Sequence, residues 1–453
     1  MRALAILILI GFALFGALQF VRPQLENPPV VADFQAPPEV KAILTTSCYN
    51  CHSNETKLPW FDKIVPAYWL VVRDVNRGRA HLNFSNFENL PAAQKTAFLY
   101  NSVDQIEQGF MPPGNYLLVH PEAKISKEQI ATLRHYLHPN DDIKTAPPEA
   151  AAATDAQRQQ WIAAGAKPAE NVEPESNGIA FHPDYASWKP VSFTDRFDGA
   201  TMRTILGNDV AQQAIASGNI HPWPDGTVFA KIAHKQQADA SGTVSTGQFA
   251  VVEFMAKDKV KYKDTAGWGF SRWLGADHKP WSKDDASFGQ ECVACHRPMQ
   301  DRDFVFTMPL HDGPDGLWNP GAALPANFPV PIRDWNVITT QYDHPRHMMS
   351  ALYGNPAAVA RSRTAPQAPL TRDAQLAFVT WSEKDDQHWF GARIPSAVQT
   401  IEVVRGNATS GPDYQDYSGT PLVAQTSQTT PEGTAAAQQR IAAITSLLPA
   451  AMP

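Results

Sequence analysis

The sequence predicts a multidomain α+β protein, with a mainly helical N-terminal unit followed by two β-rich units in tandem. Three observations predict it. Before residue 139 apolar residues recur at helical spacing, as in Ile130, Leu133 and Leu137. From Gly178 the chain turns to short β-branched and aromatic runs bounded by Gly, Pro, Asp and Lys: Thr227-Val-Phe-Ala-Lys-Ile-Ala and Phe249-Ala-Val-Val-Glu-Phe-Met. Finally, Thr201-Met-Arg-Thr-Ile-Leu-Gly-Asn-Asp-Val-Ala aligns without a gap on Met348-Met-Ser-Ala-Leu-Tyr-Gly-Asn-Pro-Ala-Ala, an offset of 147 that also carries Ala230-Lys231 onto Ala377-Phe378. A constant offset marks two related folds in tandem.

Taken in order, residues 1–22 hold an apolar run from Ala3 to Leu18, then Phe20-Val21 before Arg22-Pro23. This reads as a signal sequence or a short membrane span, and both export the rest. Phe15 stands two before Ala17, where a small-x-small cleavage site needs a small residue. An uncleaved anchor to the inner membrane is therefore expected in preference to a soluble protein released by cleavage, with the body in a periplasm-like space. The helical unit spans 34–139, and Ser126 followed by Glu128-Gln129 marks a capped helix start. Residues 140–177, rich in Ala, Pro and Glu, read as a linker. The first β-rich unit covers 178–312, with a short helix from Asp209 to Ser217. Residues 313–333 form a Gly/Pro-rich second linker, 334–425 the copy, and 426–453 a low-complexity tail with one short helix and no chemistry. With 38 prolines in 453 residues, long connections are expected. The net charge is −7 and no lysine/arginine block is present, which excludes nucleic acid as a partner.

Both pairs of cysteines fall in one five-residue string: Cys48-Tyr-Asn-Cys51-His52 and Cys292-Val-Ala-Cys295-His296. Two thiols with two residues between them reach the two vinyl groups of one porphyrin, and the adjacent imidazole then lies against the iron. Two covalently bound c-type haems are expected, with His52 and His296 as proximal ligands. A zinc site is the alternative, but each pair carries its own histidine and the pairs lie far apart, unlike zinc-ribbon spacing. The copy at 334–425 has no cysteine, so it holds no haem covalently and is expected to pack on its sibling as an intrachain pseudo-dimer. A homodimer is the other arrangement left open.

In the run Phe249 to Met255 alternate residues share a face, so Glu253 points the same way as Phe249, Val251 and Met255, a carboxylate among apolar side chains suited to proton transfer. The competing reading is a glutamate paired with a lysine. Lys231 shares a face with Phe229 and Ala233, where an isolated lysine commonly reaches water.

Residues 178–312 resemble the cytochrome P-460 family through Trp223-Pro-Asp-Gly-Thr-Val-Phe-Ala-Lys231, Val251-Val-Glu253-Phe-Met-Ala-Lys-Asp258, Gly267-Trp-Gly-Phe270, Cys292-Val-Ala-Cys-His296 and Asp303-Phe-Val-Phe-Thr307, in that order. The resemblance implies a small β-rich fold and a haem with an open distal side. It also implies a lysine joined to a porphyrin meso carbon, matched by Lys231, a proton-transferring glutamate, matched by Glu253, and a distal arginine, matched by Arg203. The activity it implies is oxidation of hydroxylamine or a related small nitrogen compound. Relatives without the cross-link bind nitric oxide. In the copy, Ser350 and Phe378 replace Arg203 and Lys231.

In the helical unit Gly109-Phe-Met111-Pro-Pro-Gly114 sets a thioether in a proline-stiffened loop, so Met111 is the expected sixth ligand, with His81 and His120 as rivals. Met/His ligation closes the iron to substrate and suits a cytochrome c-like electron carrier that passes electrons to a periplasmic partner. This unit resembles the small haem-binding domain found behind bacterial membrane anchors, through Cys48 to Thr56, Pro59-Trp60, Gly78-Arg79, Asn83-Phe-Ser85 and Met111-Pro. The sequence as a whole thus reads as an anchored dihaem oxidoreductase. Its rival is a carrier or nitric-oxide binder without turnover.

Overall fold

The structure, a computed structural model, describes residues 2–137, 145–282, 288–314, 316–407, 411–425 and 431–453. The chain divides into two compact units, one up to residue 140 and one from 141 onward.

The first unit contains helices α1 (Arg2–Leu18), α2 (Pro38–Ser47), α3 (Tyr49–His52), α4 (Ala67–His81), α5 (Ala92–Glu107), α6 (Gly114–Leu117) and α7 (Lys127–Leu137). Its core is built on Val40, Ile43, Leu44, Tyr49, Val72, Val75, Phe84 and Phe87. The expected cap of α7 is present: Gln129 N donates to Ser126 Oγ at 3.2 Å, and Ser126 N donates to Gln129 Oε1 at 2.8 Å. Helix α1 has 17 residues and leaves its apolar side chains exposed. That is about 26 Å at 1.5 Å per residue, less than the roughly 30 Å of a bilayer core. No helix among the described residues is long and apolar enough to cross a membrane.

The second unit opens with α8 (Pro148–Ala163). Two runs of elements follow. The first is β1 (Lys189–Arg196), β2 (Thr201–Gly207), α9 (Asp209–Ser217), β3 (Val228–Ala238), β4 (Thr243–Lys257), β5 (Trp268–Leu274), β6 (Lys279–Pro280) and α10 (Phe288–His296). The second is β7 (Asn336–Asp343), β8 (Met348–Gly354), α11 (Pro356–Thr364), β9 (Gln375–Asp385), β10 (Arg393–Arg405), β11 (Asp413–Ser418), β12 (Val423–Ala424) and α12 (Pro431–Thr445). Strands run β1-β2-β3-β4-β7-β8-β9-β10, and β10 returns to β1 through Asp195↔Arg393, closing an antiparallel barrel. The halves join at two seams, β4 with β7 and β10 with β1.

Repetition reaches to single residues. Asn208 and Asn355 cap α9 and α11 by accepting from Ala211 N and Ala358 N, both at 3.0 Å. Gly207 and Gly354 precede them where a Cβ would lie 2.9 Å from Val191 Cγ2 or 2.7 Å from Ile338 Cδ1. Alternation sends Leu206, Ala230, Ile232, Val252 and Phe254 into a core shared with Tyr353, Ala377, Val379, Trp381, Ile401 and Val403. The opposite faces pack outward, on α9 and α10 in the first half and on α11 and α12 in the second.

Four expectations about the chain's organisation are corrected. Most of the segment expected as a linker, 140–177, is part of the fold; residues 140–144 of it lie outside the described residues. Trp161 of α8 is buried in the barrel core, and Gln157 Oε1 accepts from Phe249 N at 2.7 Å. The second expected linker, 313–333, supplies buried Trp318, Ala322, Leu324, Val330 and Ile332, with Trp381 Nε1 donating to Ala322 O at 3.0 Å. The expected tail, 426–453, is the last element of the repeat, although 426–430 lie outside the described residues. Helix α12 takes the position that α10 holds in the first half, and Ala450 N donates to Ile338 O at 2.9 Å. The repeat therefore extends beyond 425. Finally, Ala233 pairs with Val251 and His234 with Phe249, a bulge that leaves Ala250 unpaired. Phe249 joins Val252 and Phe254 in the core, so it does not share the face of Glu253.

Candidate functional site

In the second unit α10 packs on the outer face of the first half and carries Cys292, Cys295 and His296 to the wall of a cavity of about 310 Å³. Ile205, Phe229 and Met255 form apolar parts of the wall, and Arg196, Arg203, Lys231, Glu253, Arg272 and Asp386 supply its charges. Strand register explains the grouping, because Lys231 faces Glu253 across β3 and β4, and Glu253 faces Arg272 across β4 and β5. Glu253 forms ion pairs with both. The competing reading of the sequence, a lysine-paired glutamate, is thus part of the site, and the lone carboxylate among apolar neighbours is not found.

Lys231 lies deep in the protein and opens to the cavity rather than to bulk water; its side chain is 30% exposed. Burial first, and then the positive charges of Arg203, Arg272 and Arg196, push its ammonium well below the usual lysine range. Arg203 is half-buried, and its Nε is shut off from solvent with no hydrogen-bond partner. Burial pushes it down to about 9, so it remains a cation at neutral pH. Arg272 escaped the sequence reading. The signal was available, because it falls two residues after Phe270 on the same face of a strand.

His296 Nδ1 lies 2.7 Å from Phe304 O, so this nitrogen donates to the carbonyl and leaves Nε2 as the ligating atom. Burial lowers the imidazole to about 4, which keeps it neutral and able to coordinate. All four cysteines are free thiols. Burial raises Cys292 to about 11.

In the first unit α3 carries Cys51 and His52, and Cys48 sits at its N-terminal boundary. His52 Nδ1 lies 3.0 Å from Leu82 O, the same second-sphere arrangement as His296. The string is held by packing and by one arginine. A Cβ on Gly78 of α4 would stand 2.6 Å from Cys51 O, so only glycine lets α4 approach α3 this closely. Arg79 donates to Ser53 O and Thr56 Oγ1, each at 2.7 Å, and to Asn27 Oδ1 at 2.7 Å. Met111 lies in the connection between α5 and α6 and is 40% exposed. Asn50, inside the string, donates to Tyr116 Oη of α6 at 3.2 Å, tying the Met111 connection to the string side of the unit. His120, the buried rival, is committed on both ring nitrogens, to Asp62 Oδ2 at 2.9 Å and Glu122 Oε1 at 3.2 Å. His81 ends α4 and is exposed.

Residues 13–139 match the family model described as Haem-binding domain, and residues 182–307 match Cytochrome P460. The chain joins a haem-binding domain to a cytochrome P460 domain. No curated protein matches it. The cytochrome P460 match begins before β1 and ends just past α10, so the model covers the half that carries the cysteines. Haem is the cofactor, and the residues present fit it. Beside the cavity stand two free thiols and a neutral imidazole with its far nitrogen engaged, and the buried Nε of Arg203 is an unsatisfied donor. Cys292, Cys295 and His296 would hold the group here, and Cys48, Cys51 and His52 would hold one in the haem-binding domain.

The second half of the barrel shows what replaces those groups. Phe378 takes the position of Lys231, and the residue facing it is Glu402, the counterpart of Glu253. Glu402 is bound by Arg440 of α12, with Nε–Oε1 at 2.7 Å and Nη2–Oε2 at 2.6 Å, and by Tyr414 Oη at 2.5 Å. Ile441, Ile444 and Leu447 fill the space against Phe378 and Leu352.

Proposed function

We propose that the chain is an exported dihaem c-type cytochrome whose cytochrome P460 domain oxidises hydroxylamine or a related small nitrogen compound, while the haem-binding domain passes the electrons to a periplasmic carrier. The observation that carries this reading is the Lys231–Glu253–Arg272 row, with Arg203 beside it, on the wall of the cavity that holds Cys292, Cys295 and His296. A site that only carries electrons has no use for a carboxylate, an amine and two guanidinium groups gathered at its open side. When bound, haem supplies an iron centre able to coordinate the nitrogen compound and accept its electrons.

The residues around it divide the remaining work. Glu253, held by Arg272, accepts protons released as electrons leave the substrate. Arg203 and Arg272 favour negative charge developing on the bound molecule and exclude cations. Lys231, whose amine loses its proton readily at this position, would form the carbon–nitrogen link to the porphyrin edge, the new bond replacing one N–H and one meso C–H while two electrons pass to an external oxidant. In the haem-binding domain Met111 completes the iron coordination and closes it to substrate.

We also read the second half of the barrel as a degenerate cytochrome P460-like repeat, its site closed by Phe378 and α12. The body resides in a periplasm-like space, held at the inner membrane by its apolar N-terminal segment. Steady-state oxidation of hydroxylamine with an artificial electron acceptor tests the enzymatic reading. The parent turns over, and Glu253→Ala loses activity by about 10²–10⁴-fold while keeping its haem. No turnover by the parent, or equal turnover by both, favours the alternative of a nitric-oxide-binding or electron-transfer cytochrome.

A further inference from the structure

The cysteine-free half does more than complete the barrel. In the first half β3 and β4 are joined by the tight turn Asp239–Gly242; the equivalent connection between β9 and β10 is the longer stretch 386–392. This stretch folds on itself, with Asp386 N donating to Ala392 O at 2.9 Å, Ala392 N to Trp389 O at 3.0 Å, and His388 N to Asp386 Oδ1 at 3.0 Å. It crosses to the cytochrome P460 half, where Asp386 and Trp389 line the cavity that takes the haem.

Its contacts fall on two places. On the barrel wall, Trp389 Nε1 donates to Asp198 Oδ2 at 3.0 Å, and the Arg196 guanidinium lies 4.1 Å from the Trp389 ring centre. The approach is close enough that a Cβ on Gly391 would sit 2.5 Å from Asp198 Cβ. The second place is the segment after the haem string. Arg302 Nη1 meets the His388 ring, closest to Nε2, Gln387 Nε2 lies 3.1 Å from Met308 Sδ, and the Trp389 ring meets Phe306 edge-on at 5.4 Å. Between those points lies Phe304, whose carbonyl accepts from His296 Nδ1. Phe306 itself packs on the His296 ring at 5.0 Å.

We propose that the 386–392 connection of the cysteine-free half fixes the 302–308 segment, and through it the orientation and donor strength of His296 toward the haem iron. Trp389 and His388 are positioning residues: they act on the proximal ligand through Phe304 and Phe306 and do not touch the reacting molecule. The physical reason is that the partner of a ligating imidazole's second nitrogen sets both its ring angle and its basicity. A firm Nδ1–H bond to a fixed carbonyl makes the other nitrogen a stronger donor. The duplicate therefore has a reason to persist after losing its own haem site, because it holds its sibling's from the proximal side.

The inference rests on haem being held at Cys292, Cys295 and His296. Its test uses the full chain with its haems attached, in parent, Trp389→Ala, Trp389→Phe and His388→Gln forms. Three quantities are read: haem content by mass, the iron–histidine stretching band of the reduced protein by resonance Raman, and the reduction potential of the cytochrome P460 haem. The expected result is unchanged haem content, a lower stretching frequency and a higher potential in Trp389→Ala and His388→Gln. Trp389→Phe, which keeps the ring contacts, should lie closer to the parent. A purely structural connection would move the melting temperature and leave the band in place. If Trp389→Ala does not accumulate, the other two variants are judged by the same band, and a band unshifted in both overturns the proposal. A parent with no macrocycle at Cys292 and Cys295 overturns the underlying reading together with this one, whereas a loaded parent with silent variants overturns this one alone.

Discussion

Lys231 and Glu253 stand directly opposite each other on β3 and β4, and their side chains form an ion pair on the wall of the haem cavity. The pair fixes the amine at one point of the cavity rim, and burial with three nearby arginines weakens the amine's hold on its proton. If the amine is bonded to the porphyrin, the parent shows a red-shifted Soret band. Lys231→Leu then returns that band to the position of an ordinary c-type haem, with Glu253 still held by Arg272. Identical spectra for parent and variant would show that the bond does not form.

The two strings are expected to load independently, since each sits in its own compact unit. Replacing Cys292 and Cys295 with serine should remove one haem mass from the intact chain, and replacing Cys48 and Cys51 should remove the other. A parent mass corresponding to fewer than two macrocycles contradicts the dihaem reading outright.

Gly78→Ala should damage the haem-binding domain. The new Cβ would lie 2.6 Å from the Cys51 carbonyl oxygen, and backbone cannot swing aside as a side-chain tip can. Overpacking of this kind costs roughly 1–3 kcal/mol, more than the ~1 kcal/mol that alanine gains over glycine inside a helix. The expected outcome is a lower thermal midpoint and less haem bound at Cys48 and Cys51, read by melting and by mass.

Asp195 makes stability depend on pH. It is fully buried at the seam of β1 and β10, its Oδ2 has no hydrogen-bond partner, and burial raises it to about 7. An ordinary carboxylate in the unfolded chain titrates near 4. Between those values the folded state binds a proton that the unfolded state has released, so stability falls as pH rises through the window, by at most about 1.4 kcal/mol per pH step of one. Asp195→Asn should abolish that contribution. The check is a pair of urea midpoints at pH 5 and pH 8 for each protein, and the drop between them should be smaller in the variant.

Features set by near neighbours in the chain were legible without the fold. The spacing of Cys48, Cys51 and His52 and of Cys292, Cys295 and His296 depends on one helical turn, and the Ser126 cap on three residues. The repeat was legible because Asn208 and Asn355 do the same local work in both halves. Three segments misled because local composition does not show what distant residues bury. Residues 140–177 and 426–453 are poor in large apolar residues and 313–333 is rich in Gly and Pro, yet the large apolar residues they have, such as Trp161, Trp318 and Ile444, are buried by distant parts of the chain.

Residue type and short-range order thus determined that this chain holds c-type haem strings, a helical and then a strand-rich region, and a duplicated unit. Tertiary structure alone decided that Arg272 joins Glu253, that Glu402 and Arg440 stand where a second site would be, and that the stretch around Trp389 reaches the other half's haem cavity. These facts depend on strand register and barrel closure, which bring together residues far apart in the chain. A bulge such as the one at Ala250 changes which face each residue takes, and linear spacing carries no trace of it.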